Sequence, residues 1–446
     1  MAQVHALHVA GRPDRYHPSL LAVEERTAYL EDLCVSEPFR RRGIGRMLFE
    51  TASARAKERG AQRMDLKVWE FSEPARKFYA SLGMSTQCRI LEKGLTAAVM
   101  DNWKGAFGME REGLLKDCAL CPRACHVDRT AGRKGYCAQG DRVVAARAAL
   151  HFWEEPCISG ESGSGAVFFS GCSLRCVFCQ NGEIAAGRAG KEISKERLTD
   201  IFLELQEKGA NNINLVTAGH FAPLVADALE AAKNRGLSIP AVYNTSSYEN
   251  VGTLRMLDGL IDVYLPDFKY VSARLAQDLS RAPDYFERAA SALEEMVRQV
   301  GDPLFASASA AEKSAVLTAR EMNDACLEDG DSDFLMKRGV IVRHLALPGQ
   351  GEDSRRALRF LHETWGERIY ISLMNQYTPM PGIWDRLERA LGDRAKDYRD
   401  LCRKLTEREY DRLVDYLVDL GAENAFIQEG KTAEESFIPA FDGEGI

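Results

Sequence analysis

Three cysteines lie close together in this chain. Cys172, Cys176 and Cys179 have the spacing C-x3-C-x2-C within Gly171-Cys-Ser-Leu-Arg-Cys-Val-Phe-Cys-Gln-Asn181. Four thiolates close a tetrahedral zinc site or anchor an iron–sulfur cube, so three leave one iron of a cube free for another ligand. Zinc is the alternative, but no fourth Cys or His follows nearby at the usual spacing. The pattern therefore indicates an iron–sulfur cluster with one open iron.

A second group of cysteines lies upstream of the first. It comprises Cys118, Cys121, Cys125 and Cys137. In a reducing compartment, clustered cysteines indicate metal or redox chemistry rather than disulfides. Four thiolates can hold zinc or a second iron–sulfur cluster, and the spacing does not choose between them. A cluster would relay electrons, whereas zinc would brace the fold.

Composition narrows the class of protein. The chain has 446 residues, with 45% hydrophobic and 28% charged, as in globular proteins of two or three domains. A net charge of −8 argues against a nucleic-acid partner or an anionic membrane surface. No apolar run approaches the roughly 18–20 residues that a membrane span needs, and the N-terminus lacks a signal-peptide pattern. We therefore expect a cytoplasmic protein.

An alternation of strand and helix patterns begins near residue 161. The predicted strands are 166–169, 213–217, 241–245, 263–267, 340–345 and 369–373. Such alternation predicts a parallel sheet with crossover helices, and six βα units make a partial barrel. We therefore predict an α/β fold, with a partial (β/α)6 barrel over 161–392, an insertion at 302–338 and a helical extension over 393–446.

Polar side chains stand at the carboxyl ends of these predicted strands, where parallel α/β sheets bind their ligands. The candidates are Thr217, Asn244, Thr245, Asp267, Lys269 and Arg343. A bound ligand with ammonium, carboxylate and ribose groups needs such a mixture of acceptors and cations. The cysteine loop follows the first predicted strand, so it should face the same mouth.

The cysteine segment, with Phe178 directly before its third cysteine, resembles the signature of the radical S-adenosylmethionine (SAM) family. In that family the free iron binds the amino and carboxylate groups of SAM. Residues 117–446 further resemble the activating enzymes of glycyl-radical enzymes, such as pyruvate formate-lyase activase. The motifs that carry this likeness are Trp153-Glu-Glu-Pro-Cys157, Phe168-Phe-Ser-Gly171, Asp267-Phe-Lys269 and Gly339-Val-Ile-Val-Arg-His-Leu345.

The resemblance implies specific roles. Cys172, Cys176 and Cys179 would hold a [4Fe–4S] cluster, and Arg343 would pair with the SAM carboxylate. The activases bind a monovalent cation near SAM, and the corresponding residues here are Asn244, Thr245 and Asp267, with Lys269 beside them. Two departures stand out. Thr217-Ala-Gly219 replaces a Gly-Gly-Glu motif, which removes a carboxylate partner of the SAM ammonium, and Asn244 replaces an aspartate.

The resemblance also implies a mechanism. An electron donor such as flavodoxin or ferredoxin reduces the cluster, one electron cleaves SAM, and the resulting 5′-deoxyadenosyl radical abstracts a hydrogen from the substrate. The protein supplies orientation and excludes water, because the difficult chemistry belongs to the cofactor. The substrate would be a glycyl Cα of a glycyl-radical enzyme or a small molecule.

The N-terminal region contains a different motif. Arg40-Arg-Arg-Gly-Ile-Gly45 fits R-x-x-G-x-G between a predicted strand and a helix, and the amides of such a loop can cradle a pyrophosphate. With Tyr29-Leu-Glu-Asp-Leu-Cys-Val35 before it and residues 75–84 after it, the region resembles GNAT acetyltransferases over 28–90. The resemblance implies that acetyl-CoA binds to Arg41, Arg42, Gly43, Ile44 and Gly45. Tyr79 would act as the general acid, and Glu31 or Asp32 could help to deprotonate an amine.

The predicted organisation has a short GNAT-like α+β domain over 1–97, with no strand before residue 28. A linker over 98–116 and a Cys-rich segment over 117–160 lead into the barrel. The main prediction is a radical SAM enzyme fused to this truncated GNAT-like domain. The alternative is an acetyltransferase whose iron–sulfur portion is sensory or structural, and the short domain could also bind CoA without transferring acetyl.

Overall fold

The computed structural model describes residues 2–11, 26–35, 44–58, 61, 63–65, 73–84, 111–307, 316–323, 334–428 and 440–446. The chain forms two compact units, one spanning Met1–Lys93 and the other Gly94–Ile446. In the part of the chain that is described, no helix is long and apolar enough to cross a membrane.

The N-terminal unit is a small α/β assembly. Its elements are β1 (Ala2–Gly11), β2 (Arg26–Val35), α1 (Ile44–Glu58), β3 (Arg63–Asp65) and α2 (Glu73–Ser81). Strand β1 pairs antiparallel with β2, and β3 pairs parallel with β2. The expectation that no strand precedes residue 28 is therefore wrong. That expectation rested on local pattern alone, whereas β1 is defined by its pairing with β2.

The C-terminal unit is built on one large sheet. Its strands are β4 (Val143–His151), β5 (Ser164–Phe169), β6 (Lys191–Ile193), β7 (Ile213–Val216), β8 (Ala241–Thr245), β9 (Val263–Pro266), β10 (Leu304–Ser307), β11 (Leu317–Thr318), β12 (Phe334–Leu345), β13 (Tyr370–Met374) and β14 (Ala425–Ile427). The described helices are α3 (Pro156–Ser159), α4 (Gly182–Ala185), α5 (Lys195–Glu207), α6 (Ala222–Asn234), α7 (Val251–Arg255), α8 (Ala273–Ser280), α9 (Tyr285–Val300), α10 (Gly351–Trp365), α11 (Ile383–Leu391) and α12 (Glu407–Asp419). Short 3₁₀ segments occur at Arg111–Leu115, Gly219–Phe221, Gly366–Arg368 and Gly392–Cys402.

Parallel pairing runs through the centre of this sheet. The parallel order is β5-β7-β8-β9-β12-β13-β14. The first six are the predicted strands, which confirms the α/β fold with helical crossovers. These strands are buried on both faces, because helices pack outside and a second apolar cluster around Val242, Leu265 and Ile341 fills the inside. The carboxyl ends of the strands therefore meet at one mouth.

Further strands flank this core and were not predicted. Strand β4 pairs antiparallel with β5 and β6, so the Cys-rich segment contributes directly to the main sheet. The stretch expected as an insertion supplies β10 and the start of β12, which pair antiparallel with Ser307 opposite Phe334. The extension expected to be helical adds β14, which pairs parallel with β13. Strands of this kind depend on tertiary pairing, which local sequence patterns do not reveal.

The last described residues lie along β4. The amide of Ala148 donates to the carbonyl of Glu444 at 2.8 Å, and the amide of Gly443 donates to the carbonyl of Ala146 at 3.1 Å. Arg147 also forms an ion pair with Asp442, with 3.2 Å between Nη1 and Oδ1. Residues 440–446 therefore cover part of β4 that β6 does not reach.

Candidate active site

The cysteine loop follows β5, as the sequence predicted, and is docked against α8. The amide of Val177 donates to the carbonyl of Leu279 at 2.9 Å. The hydroxyl of Ser280, the last residue of α8, donates to Cys176 Sγ at 3.0 Å. Helix α8 is itself fixed at its start, because the Ser272 hydroxyl accepts a hydrogen bond from the amide of Leu275. The loop is therefore held by a capped helix.

The three thiols of this loop are free of disulfides and interact electrostatically. Burial, together with the neighbouring Cys176 and Cys172, raises the pKa of Cys179 to about 12. Burial and Cys176 likewise raise the pKa of the Cys172 thiol. Buried thiols of this kind ionise most readily when a metal binds them.

This loop fits an iron–sulfur cube better than a single ion. Among the residues that the structure describes, no group of three or more Cys, His, Asp or Glu side chains converges to hold one metal ion. A cube does not require convergence, because each thiolate binds a different iron. Three thiols on one short loop therefore suit a cluster with one iron left open.

Lys269 is the ammonium group beside these cysteines. Its charge acts on the thiols of Cys172, Cys176 and Cys179. Its Nζ donates to Asp267 Oδ2 at 2.6 Å. Burial lowers the pKa of Lys269, but Asp267 and Cys176 outweigh burial and raise it overall. Lys269 is therefore charged, and its carboxylate partner fixes its position.

Arg343 lies at the centre of a buried polar network inside the sheet. Its guanidinium donates to Asp267 Oδ1 at 2.9 Å, to Glu154 Oε2 at 3.0 Å and to Asn244 Oδ1 at 2.6 Å. Burial lowers the pKa of Arg343, but the facing carboxylates raise it above its ordinary value. The same contacts hold the pKa of Asp267 below its ordinary value, against the effect of burial. All three nitrogens of this guanidinium are thus engaged within the protein.

This network bears on the expected cation position. Asn244 and Asp267 come together as the resemblance implied, but the guanidinium of Arg343 lies between them and bonds to both. Thr245 points elsewhere, because successive strand residues face opposite sides of the sheet. Its hydroxyl donates to Glu249 Oε1 at 2.5 Å, and burial raises the pKa of that carboxyl to about 7. The three residues therefore do not converge around a metal ion, because Arg343 supplies the positive charge.

Thr217 lies at the end of β7 with the left-handed φ of 60°. Its amide donates to the carbonyl of Asn244 at 2.8 Å, which links the ends of two neighbouring strands. Residues other than glycine adopt this conformation rarely, and such strain tends to occur at functional sites. Thr217 therefore lies at the carboxyl end of the parallel strands, which is where the sequence predicted it to be.

Sequence reasoning missed three residues of the site. Glu154 reaches into the sheet, where it accepts hydrogen bonds from Asn214 at 2.9 Å and from Arg343. Glu155 beside it is buried, its Oε2 has no hydrogen-bond partner, and burial raises its pKa. Ser280 contacts the cluster loop. The motif Trp153-Glu-Glu-Pro carries part of the family resemblance, but nothing in its local sequence indicates that it folds toward Arg343.

The N-terminal site is described only in part. Arg41, Arg42 and Gly43 lie outside the described residues, while Ile44 and Gly45 open α1. Tyr79 lies on α2, with its ring 6.0 Å from that of Phe49 on α1. The predicted general acid is therefore on the helix that packs against the helix following the predicted phosphate loop.

Two family models match separate parts of the chain. Residues 8–84 match the acetyltransferase (GNAT) family, and residues 166–301 match the Radical SAM superfamily. The chain therefore carries a GNAT domain followed by a radical SAM domain. Both family resemblances found in the sequence are thereby confirmed at this level.

Individual relatives cover the chain unevenly. Uncharacterized protein MJ0674 of Methanocaldococcus jannaschii is 24% identical over 312 residues, covering 68% of this chain and 75% of that protein. An uncharacterized N-acetyltransferase in the pepI 3′ region of Lactobacillus delbrueckii subsp. lactis is 38% identical over 56 residues, covering 13% of this chain and 32% of that protein. Streptococcus suis SuiB bound to S-adenosylmethionine is 12% identical with a TM-score of 0.36, covering 85% of this chain and 63% of SuiB. The chain thus spans less than two thirds of the latter two proteins.

Proposed function

We propose that the C-terminal unit binds a [4Fe–4S] cluster through Cys172, Cys176 and Cys179 and cleaves SAM reductively. When bound, the reduced cluster supplies the single electron that breaks the SAM bond to the 5′ carbon and releases a 5′-deoxyadenosyl radical. The observation that carries this proposal is the position of Lys269, whose charge acts on all three thiols. A cation beside an open iron suits a ligand that brings a carboxylate to that iron.

The side chains around the mouth then have separate tasks. Lys269 would bind the SAM carboxylate, and Asp267 would orient its ammonium through their 2.6 Å hydrogen bond. Arg343 was predicted to bind this carboxylate, but its three nitrogens already donate to Glu154, Asp267 and Asn244. We therefore assign Arg343 a positioning role, in which it holds Asp267 and Asn244. Thr217 and Asn244 would offer acceptors to the rest of SAM.

As the substrate we propose a glycyl Cα–H of a partner protein, which this unit would convert to a glycyl radical. Support comes from the likeness of Asp267-Phe-Lys269 and the Cys172 loop to the activating enzymes of glycyl-radical enzymes. The electron would come from flavodoxin or ferredoxin, and we place the protein in the cytoplasm, where such donors and free thiols persist.

For the N-terminal unit we propose acetyl-CoA binding with transfer of the acetyl group to an amine. The match of residues 8–84 to the GNAT family supports this second function. Backbone amides of residues 41–45 would bind the pyrophosphate at the start of α1, and Tyr79 would protonate the departing thiolate.

SAM cleavage is tested in protein reconstituted with iron and sulfide without oxygen and reduced with dithionite. We expect 5′-deoxyadenosine from the wild type and none from Cys176→Ala, while Cys402→Ala, at an exposed cysteine, should match the wild type. Absence of 5′-deoxyadenosine from wild-type protein that binds SAM with its iron loaded would refute the proposal.

The glycyl substrate is tested with pyruvate formate-lyase whose glycines carry deuterium at Cα. We expect a glycyl radical signal in electron paramagnetic resonance and deuterium in the 5′-deoxyadenosine. Cleavage of SAM without either result would exclude this enzyme as a substrate and favour a small molecule.

A further inference from the structure

The four upstream cysteines form one compact group in the folded chain. A methyl group on Gly135 would lie 3.5 Å from Cys125 Sγ and 3.7 Å from Cys137 Sγ, so both sulfurs border the same space. Cys118 in turn acts electrostatically on both Cys121 and Cys137. Their sequence spacing alone could not establish this proximity.

Two of these four sulfurs accept a hydrogen bond from nitrogen. The donors are Arg129 Nη1 to Cys118 at 3.8 Å and the amide of Tyr136 to Cys125 at 3.2 Å. Neutral thiols are weak acceptors, whereas thiolates accept strongly. These N–H donors therefore suit ionised, metal-bound sulfurs.

The backbone directly around these cysteines is strained. Ala124, His126 and Ala138 all have left-handed φ values, of 39°, 52° and 64°. Such values disfavour residues other than glycine by roughly 1–2 kcal/mol each. Three strained residues directly beside Cys125 and Cys137 indicate that the turn geometry serves the sulfurs.

Arg129 supplies an independent indication of negative charge. Its side chain is fully buried. Within the described part of the chain its guanidinium donates to the carbonyls of Gly140 and His220 and to Cys118 Sγ, and no carboxylate pairs with it. A buried cation without an anion is costly, by several kcal/mol. A group of metal-bound thiolates beside Cys118 would provide the missing negative charge.

The group also lies directly against the SAM-cluster loop. Arg123 donates to the carbonyl of Ser173 at 2.7 Å and to that of Ser280 at 2.8 Å, and Ser280 contacts Cys176. At Gly171, a methyl group would lie 2.6 Å from the carbonyl oxygen of Cys137. Cys137 therefore packs against Gly171, the residue directly before Cys172, which is a short path for an electron.

We propose that Cys118, Cys121, Cys125 and Cys137 hold a second iron–sulfur cluster that passes electrons to the SAM cluster, an inference that rests on the proposed function. Four thiolates can hold zinc or an iron–sulfur cluster, and the contact of this group with the SAM-cluster loop favours a cluster, because zinc cannot carry an electron.

The electron transfer balances without any bond change. A reduced low-potential flavodoxin loses one electron, the upstream site gains it, and the site returns to its oxidised state when the electron moves to the Cys172 loop. There the electron is consumed in cleaving SAM. Neither proton nor atom moves between the two cysteine groups.

Metal content tests the site without any activity assay. We expect about eight irons per reconstituted wild-type chain, four for each cube, and about four in the triple variant Cys172→Ala, Cys176→Ala, Cys179→Ala. The reduced triple variant should give an iron–sulfur resonance signal that SAM does not alter. One zinc per chain with about four irons in the wild type, or four irons and no other metal, would overturn the proposal.

The relay is tested by comparing reductants in Cys125→Ser. We expect its rate of 5′-deoxyadenosine formation to fall at least about tenfold more with reduced flavodoxin than with dithionite, because dithionite can reach the SAM site directly. Cys402→Ser, at an exposed cysteine, should behave like the wild type with both reductants. Equal losses with both, or no loss with either, would overturn the relay. If wild-type protein forms no 5′-deoxyadenosine with either reductant, the proposed function fails, while the iron count still decides the upstream site.

Discussion

Some residues at the mouth face a ligand, and others hold the ligand-facing residues in place. Lys269 is directed toward the cysteines, whereas Arg343 is enclosed by Glu154, Asp267 and Asn244. Sequence could place all of these at strand ends except Glu154, because strand ends are marked by local patterns. It could not show that Lys269 lies beside the cysteines while Arg343 is enclosed by three acceptors, because that depends on which partners fold around each cation.

Lys269→Ala should lower SAM cleavage by roughly 100-fold while leaving the iron content unchanged, because it removes charge-assisted hydrogen bonds to the SAM carboxylate. Equilibrium binding of SAM to the oxidised protein and 5′-deoxyadenosine formation measure the effect. Lys208→Ala, at an exposed lysine after α5, is the matched control. Unchanged SAM affinity in Lys269→Ala would contradict the assignment.

Wild-type SAM cleavage should be the same, within about twofold, in potassium, sodium or choline chloride at equal ionic strength. The reason is that Arg343 supplies the positive charge between Asn244 and Asp267 where a cation was expected. A rate that collapses in choline chloride and recovers with potassium would show that a metal ion binds after all.

His220 should make the fold less stable as pH falls. Burial lowers its pKa to about 3, and Nε2 donates to the carbonyl of Ser170 at 2.7 Å. The unfolded chain takes up a proton near pH 6.5 and the folded chain does not, so stability is lost as pH falls below that value. Urea unfolding at pH 6.5 and pH 5 should show an extra loss of about 2 kcal/mol in the wild type relative to His220→Gln. His362→Gln should retain this loss, and equal pH slopes for wild type and His220→Gln would refute the prediction.

At the scale of elements, two loops form one unit around Gly171. This glycine has φ of 91°, and a side chain on it would meet both the carbonyl of Cys137 and the side chain of Gln139. The cluster loop and the upstream segment are distant in sequence, so only the folded sheet shows that they share a surface. The contact requires the absence of a side chain.

Gly171→Ala should therefore destabilise both loops. A methyl group would lie 2.5 Å from Gln139 Cγ and 2.6 Å from Cys137 O. With the strained φ, we expect a loss of about 2 kcal/mol or more and a fall in the iron retained after reconstitution. Thermal unfolding and iron analysis measure these effects. Gly113→Ala, where nothing lies within 4 Å, is the control, and a wild-type iron content in Gly171→Ala would show that the contact is unimportant.

The elements that were predicted and those that were missed differ in how they form. The six parallel strands are continuous apolar runs with helices between them, so each is visible in its own residues. Strands β4, β6, β10 and β14 are instead defined by their pairing with other strands, which their own residues do not reveal. Thr245 was misjudged for a related reason, since which face a strand residue occupies follows from register rather than from type.

At the scale of the whole molecule, the chain consists of two units, each with its own sheet. The core of the C-terminal unit contains both cysteine groups, while Tyr79 and Phe49 belong to the N-terminal one. The acetyltransferase motifs lie within the first unit and the cysteine motifs lie within the second. This separation explains why each family could be identified from the sequence independently.

Loss of the radical site should therefore leave the N-terminal unit intact. Cys176→Ala should abolish 5′-deoxyadenosine formation and change the acetyl-CoA dissociation constant by less than about twofold, because no residue of the N-terminal unit is removed. Isothermal titration with acetyl-CoA measures the second quantity, and Tyr79→Phe provides the converse control with SAM cleavage retained. Parallel loss of both activities in Cys176→Ala would show that the units depend on each other.

Residues 440–446 have a further consequence for how the protein can be handled. These residues hydrogen-bond to the backbone of Ala146 and Ala148. Without them, these N–H and C=O groups of β4 would be exposed and unpaired. An uncovered edge of this kind recruits strands from other copies, so deleting residues 440–446 would favour sheet-to-sheet aggregation. A purification tag is therefore better placed away from this segment.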